Sequence, residues 1–215
     1  MQQNNFYNDK KNVYSISGSR LSHILSLIDG DKLDILDIGC GRGVLAQELV
    51  RLGHKVSGVD ISDEALNEAK EWLSESYCFD IQGRWPEEIK SKKFDLVIAS
   101  EVIEHIFDPV VFLNNIKGIL NKDGKVIITT PNILFWKNRF KIFFGKFEYT
   151  NSGLMDFGHI RFLTIKSARK YIKQSGLKIE KENHLYPNFY KRKLNFIGNI
   201  FPGLFAYQMI FLLKK

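Results

Sequence analysis

Cysteine is scarce, with two residues in 215, and no apolar run continues far enough unbroken to cross a bilayer. Two thiols, Cys40 and Cys78, are too few for a disulfide framework, so a cross-linked secreted fold is excluded and a reducing cytoplasm is expected. The segment from Phe196 to Leu213 is rich in apolar residues, but Gly198, Asn199, Pro202 and Gly203 interrupt it, whereas a spanning helix needs ~20 predominantly apolar residues. No transmembrane segment is expected. Internal repeats and low-complexity blocks are absent too. The polar opening, residues 1–12, has neither a basic n-region nor an apolar h-region, so it is expected to be flexible and not to direct export. The remaining residues, 13–215, suffice for one sizeable core and make no demand for a second domain. A formal charge of +7 is spread along the chain, with modest clusters at Lys90–Lys93 and Lys191–Lys193. Without a dense basic run, this charge reads as solvated surface, and nucleic acid is not the expected partner.

What the chain does contain is Leu-Asp-Ile-Gly-Cys-Gly-Arg-Gly from Leu36 to Gly43, directly after an apolar run. Lys32 to Ile38 fills with Leu and Ile as a strand buried on both faces should, and Val44, Leu45, Leu49 and Leu52 then recur at helical spacing. The glycines therefore occupy a strand-to-helix turn, where missing Cβ atoms let a ligand approach the backbone. A dinucleotide site would want G-x-G-x-x-G. Here the pattern is Asp37-x-Gly39-x-Gly41-x-Gly43, and an acid so close would repel a pyrophosphate but attract an amino group. Lys55 to Asp60 reads as a second strand ending in an acid, near the roughly 20-residue offset at which a carboxylate takes ribose hydroxyls. Two acids around neutral glycines suit a nucleoside carrying a cationic amino-acid tail. Cys40 inside this turn has no evident base beside it and reads as a small side chain in a tight bend.

Further strands are expected at Tyr77–Asp80, Phe94–Ala99 and Lys125–Thr130, with helices near 44–52, 62–74 and 109–120 and a leading helix over Val13–Ile28. Such alternation builds a parallel sheet covered on both faces, with ligands at the carboxyl ends of the strands. A helix after Ser167 leads to Leu177-Lys-Ile-Glu-Lys-Glu, and Ala206 to Leu213 forms a final apolar strand.

The glycine turn, Phe94 to Ile106 (Phe-Asp-Leu-Val-Ile-Ala-Ser-Glu-Val-Ile-Glu-His-Ile) and Leu120 to Asn132 together resemble the class I S-adenosylmethionine-dependent methyltransferases over about Leu33 to Gly176. The resemblance implies a doubly wound, Rossmann-like α/β fold: a seven-stranded, mostly parallel sheet with an antiparallel last strand and helices on both faces. It also implies that Asp37, Gly39, Cys40, Gly41 and Gly43 surround the methionine moiety of S-adenosylmethionine. Asp60 with Ile61 would hold the ribose, Asp80 with Ile81 would flank the adenine, and Ser100 and Glu101 would border the cofactor from the fourth strand.

Beyond the cofactor, methyl transfer requires water exclusion, alignment of the acceptor and, where needed, removal of its proton. Glu101, Glu104 and His105 share the segment after the fourth strand, and His159 comes from a long connection, about 132–163, that is expected to act as a substrate lid. Two carboxylates and two imidazoles form a candidate site for Mg²⁺ or a similar ion. Glu-x-x-Glu-His with a distant His also resembles the ubiquinone-pathway O-methyltransferases and the small-RNA 2′-O-methyltransferases. The alternative is that Glu101 touches the cofactor, Glu104 caps the next helix, and His105 is a general base or simply packs. Arg161 either anchors its loop or meets a carboxylate or phosphate on the acceptor.

From Asn132 to Phe147 aromatic residues interleave with Lys137, Arg139, Lys141 and Lys146. This stretch is an amphipathic helix packed on the sheet, a lid, a membrane-surface segment, or a platform on which single-stranded bases stack. The function expected is methylation of oxygen on a small or lipid-linked acceptor such as a phenol, quinone precursor or sugar hydroxyl. Carbon and nitrogen acceptors stay open. The alternatives are an RNA 2′-O-methyltransferase and a non-catalytic S-adenosylmethionine-binding regulator. The expected location is cytoplasmic, or peripheral at a membrane through 132–147.

Overall fold

The computed structural model describes residues 16–151, 153–187, 198 and 200–215. The segment 1–12, the start of the leading helix at Val13 and the Lys191–Lys193 cluster lie outside them. The elements run α1 (Gly18–Leu25), β1 (Asp34–Ile38), α2 (Val44–Arg51), β2 (Lys55–Asp60), α3 (Asp63–Ala69), β3 (Glu75–Cys78), α4 (Glu87–Lys90) and β4 (Phe94–Ser100). After a 3₁₀ turn at Ile103–His105 come α5 (Pro109–Gly118), β5 (Leu120–Pro131), α6 (Trp136–Phe143), α7 (Ile165–Ser175), β6 (Lys178–Leu185), α8 (Pro202–Phe205) and β7 (Gln208–Lys214).

The seven strands form one sheet in the order β3-β2-β1-β4-β5-β7-β6. The first five pair in parallel, and β7 alone runs antiparallel to its neighbours β5 and β6. This is the doubly wound arrangement expected from the sequence. Alternate residues of each central strand point to opposite faces and so feed two separate apolar layers. On one side Leu36, Val97, Val126 and Phe211 pack with Phe112 and Ile116 of α5 and Ile172 of α7. On the other, Ile35, Leu96, Ile98 and Ile127 pack with Ile24 of α1 and Leu45 and Leu49 of α2. With both faces covered, the strand tips are the part of the sheet left for polar chemistry. The order reverses between β1 and β4, so the crevice for a ligand opens there.

Local chemistry explains where elements start and stop. Ser17, Ser62, Asp108 and Thr164 each accept a backbone N–H in the first turn of α1, α3, α5 and α7, and Thr164 forms a reciprocal box with Ser167. Several expected boundaries shift. β1 starts at Asp34 because Lys32 turns into the left-handed region at φ 55°. The third strand covers Glu75–Cys78 instead of Tyr77–Asp80, because its partner β2 ends at Asp60, opposite Cys78. Asp80 lies beyond the ladder, where its Oδ1 accepts the Gln82 N–H at 2.9 Å. Helix α3 ends at Ala69 rather than continuing to 74, and β5 starts as early as Leu120, with a register shift opposite Phe94 and Leu96.

Gly43 holds the junction between the glycine turn and α2 at φ 77°. A Cβ there would stand 2.9 Å from the Cβ of Ala69, so α2 and α3 meet only because this position has no side chain. Gly43→Ala is therefore expected to lower unfolding free energy by about 2–4 kcal/mol, through left-handed strain plus overpacking. Urea denaturation monitored by circular dichroism measures it, and an unchanged midpoint would contradict this packing role.

Candidate functional site

A cavity of about 490 Å³ opens at the carboxyl ends of β1, β2 and β4, within the range of small-molecule sites. Asp37, Gly39, Cys40 and Gly41 line it from the first turn. Asp60 and Ile61 line it from the end of β2, and Asp80 and Ile81 from beyond β3. Ser100, Glu101 and His105 complete that wall. Of the residues expected to meet the cofactor, Gly43 is the exception: it does not line the cavity, and its missing side chain serves the α2–α3 contact instead.

The turn is shaped by its own acid. Asp60 accepts the Gly41 N–H on Oδ2 at 2.8 Å and the Ser62 N–H on Oδ1 at 2.9 Å, tying the glycines of β1 to the tip of β2. Burial raises its pKa, and the Ser62, Gly41 and Ile61 N–H groups offset part of that rise. Gly39, at φ 72°, lets the turn close on the loop after β4, since a Cβ there would stand 2.8 Å from Val102 Cγ2. Asp37 is 2% exposed and its Oδ2 meets no hydrogen-bond partner. Burial, with the nearby Asp60 charge adding to it, pushes its pKa up to about 8. Burial and the same two carboxylates also hold the Cys40 thiol well above its ordinary range, so it is not poised as a nucleophile.

Sequence reasoning missed Arg20 of α1, the one Lys or Arg among the described residues lining the cavity. Its Nη1 lies 3.2 Å from Glu101 Oε2. Glu101 Oε1 accepts from Thr129 Oγ1 at 3.0 Å and from Gln208 Nε2 at 2.7 Å. Held from three elements, Glu101 keeps a left-handed backbone at φ 59°, a strain that only an over-determined site sustains. The pattern indicates a helix over the cofactor or the sheet, but in a helix as short as α1 it does not single out which polar residue faces the cavity. The apolar rim from Phe79, Phe107, Phe157 and Ile160 was likewise not legible, because it comes from three separate loops.

Deeper in, Glu104, His105 and His159 bring one ligand atom each to within 4.8 Å of one another. Glu104 is 1% exposed, and its own backbone N–H, the Thr130 hydroxyl and the Arg20 charge only partly favour its ionised form. Burial, then the Glu101 charge, drives its pKa well above the usual carboxylate range. His105 Nδ1 donates to the Gly158 carbonyl at 2.7 Å, and His159 Nδ1 donates to the Leu154 carbonyl at 3.2 Å. A carbonyl only accepts, so in the neutral rings each Nε2 carries the lone pair. His159 Nε2 lies 3.9 Å from Glu104 Oε1. A buried carboxyl group beside two imidazole nitrogens is a donor set that fits a divalent cation. Glu101 stands outside that trio, because Arg20, Thr129 and Gln208 take its carboxylate. Glu104 does not cap the following helix either; Asp108 does. Arg161 anchors its loop, donating from Nε to the Ile106 carbonyl at 2.9 Å and from its guanidinium to the Phe107 carbonyl.

The chain is 35% identical over 154 residues to a ubiquinone biosynthesis O-methyltransferase of Bradyrhizobium diazoefficiens, covering 70% of this chain and 60% of that one. A protein of the same name from Rhodopseudomonas palustris is 37% identical over 110 residues, covering 50% of this chain and 43% of its own length. The chain thus spans 60% or less of these two relatives. Among solved structures, an S-adenosylmethionine-dependent methyltransferase from Mesorhizobium loti superimposes with a TM-score of 0.66 at 14% identity, covering 93% and 98% of the two chains. One from Archaeoglobus fulgidus does so with a TM-score of 0.62 at 18% identity, covering 92% of each. Residues 15–182 match the sequence profile described as a methyltransferase domain, which takes in most of the length, and the chain therefore belongs to that family.

Proposed function

We propose that this chain transfers a methyl group from S-adenosylmethionine to a hydroxyl oxygen of a small or lipid-linked acceptor. The observation that carries the cofactor assignment is the pair of buried acids at the glycine turn. S-adenosylmethionine supplies an electrophilic methyl group when bound. The unpartnered Asp37 carboxylate suits its ammonium, and Asp60 offers remaining lone pairs to ribose hydroxyls. Arg20, which lines the same cavity beside Glu101, suits the carboxylate of the same tail. Oxygen as the acceptor atom is supported by the name of the relatives and by the Glu104–His105–His159 trio, of which His105 lines the cavity and the two buried members lie behind it. A divalent cation held by that trio would supply charge that lowers the pKa of a hydroxyl beside it. In the absence of an ion, His105 serves as general base. Its Nδ1–H bond to Gly158 fixes the ring, and Nε2 is the nitrogen that takes the acceptor's proton. The rim residues Phe107, Phe157 and Ile160 exclude water and give an aromatic or prenylated acceptor an apolar surface.

The raised pKa of Asp37 gives a pH dependence of defined sign. The folded apoprotein keeps a proton that the unfolded chain releases near its ordinary value of 3.8. That stabilisation is complete at low pH and fades as pH rises toward about 8. Thermal melts of the apoprotein are expected to show this decline, and Asp37→Asn to flatten it. An equal decline in the variant would assign the titration elsewhere.

Asp60→Ala is expected to weaken S-adenosylmethionine binding by about 1–3 kcal/mol, read by isothermal titration, through lost charge-assisted hydrogen bonds. Unchanged affinity would remove Asp60 from the ribose site.

For the transfer itself, incubation with labelled cofactor and catechol-type, quinone-precursor or sugar hydroxyls is expected to yield labelled methyl ether. A chelator, or Glu104→Ala, should abolish that product while cofactor affinity survives. Full turnover in chelator would eliminate metal assistance and leave His105 as base. Tight cofactor binding with no transfer to any acceptor would support the regulatory alternative.

A further inference from the structure

Helix α6 and the residues after it do not bury their apolar side chains on the sheet, as an ordinary amphipathic helix would. Phe143 is 82% exposed, Phe140 60% and Phe144 59%, and Ile142 and Phe147 are exposed as well. The three phenyl rings pack edge to face on one another at centroid distances of 4.7 and 5.3 Å, forming an apolar knob instead of separate stacking platforms. Such a patch on a soluble surface marks a docking site. Its charge is predominantly positive: Lys137, Arg139, Lys141 and Lys146 are exposed along it, and Glu148 is the first acid to follow.

The patch continues in two directions. Arg139 donates to the Gly203 carbonyl at 3.3 Å, which brings α6 beside α8 and the exposed Phe201 that precedes it. Past Phe147, the Tyr149 ring follows at 6.1 Å and stacks on Phe157 at 5.5 Å with an interplanar angle of 17°. Phe157 and Ile160 are themselves walls of the cofactor cavity. An exposed apolar track therefore runs from the cationic knob to the mouth of the site.

We infer that this face docks on an anionic lipid surface, with the phenyl knob entering the headgroup boundary and the cations meeting lipid phosphates. The track then leads a membrane-resident acceptor into the cavity, and that last step rests on the transfer reading above. A basic, aromatic-rich surface is what an interfacial segment requires. A second copy of the chain fits less well, because a two-fold interface would set each cation row against its own like charge.

The test is flotation of the full chain with vesicles of phosphatidylcholine, with and without phosphatidylglycerol. Wild type should float with the anionic vesicles and not with the neutral ones, and raised salt should weaken it. K137E/K141E should reduce partitioning roughly 30-fold, at about a factor of five per cation removed and more for the reversal. F143S/F144S should reduce it comparably, with unchanged circular dichroism and cofactor affinity. No flotation of wild type, or equal flotation of the variants, overturns the proposal. So does a dimer that dissociates in the same variants, which would give the face to a second copy. Cofactor titration on the same samples is independent of vesicles, so loss of cofactor binding would refute the transfer reading without touching the lipid result.

Discussion

Three carboxyl groups, Asp37, Asp60 and Glu104, are buried around the open end of one sheet and only partly satisfied there, and the rest of the site is arranged about that deficit. Burying a carboxylate without a partner is costly, and the cost persists only where a ligand or proton supplies what the fold withholds. Asp60 is the best satisfied member. Two backbone N–H groups hold it, and in being held it shapes the glycine turn. Asp37 and Glu104 are less well matched at two ends of the same region, one beside the turn and the other beside two imidazoles. The electrostatic preference of the region is accordingly for a cationic group at each end.

The sheet makes this tolerable. Apolar layers on both faces bury alternate side chains of every central strand, so stability comes from the middle of the molecule while the strand tips are left to polar groups. Glu101 shows how the tips are braced. Its left-handed backbone is sustained by Arg20 from α1, Thr129 from β5 and Gln208 from β7, which link the leading helix to strands at the centre and the far side of the sheet. The same bracing withdraws Glu101 from the imidazole cluster, so neighbouring acids in one short segment have different roles. On the outside, the connection that carries His159 also carries the exposed aromatic rings, so one loop contributes both to the innermost polar cluster and to the apolar surface.

The alternation of short apolar strands and amphipathic helices was legible because burial on two faces imposes continuous Val, Leu and Ile on strands and a 3.6-residue period on helices. The glycine turn and the acids of β1 and β2 were legible because the backbone needs positive φ there and a strand end needs no apolar residue. These features are local, and the sequence by itself determined them. Gly43 also has a role that its spacing did not show: the approach of Ala69 across two helices requires that position to lack a side chain. What tertiary structure alone decided are contacts between residues far apart in the chain. Examples are Arg20 on Glu101, the Gly158 carbonyl fixing the His105 ring, His159 beside Glu104, and the exposure of Phe140, Phe143 and Phe144. Periodicity states which residues share a face of their own element, but which neighbour that face meets, or whether it meets water, follows from the crossing of strands and loops.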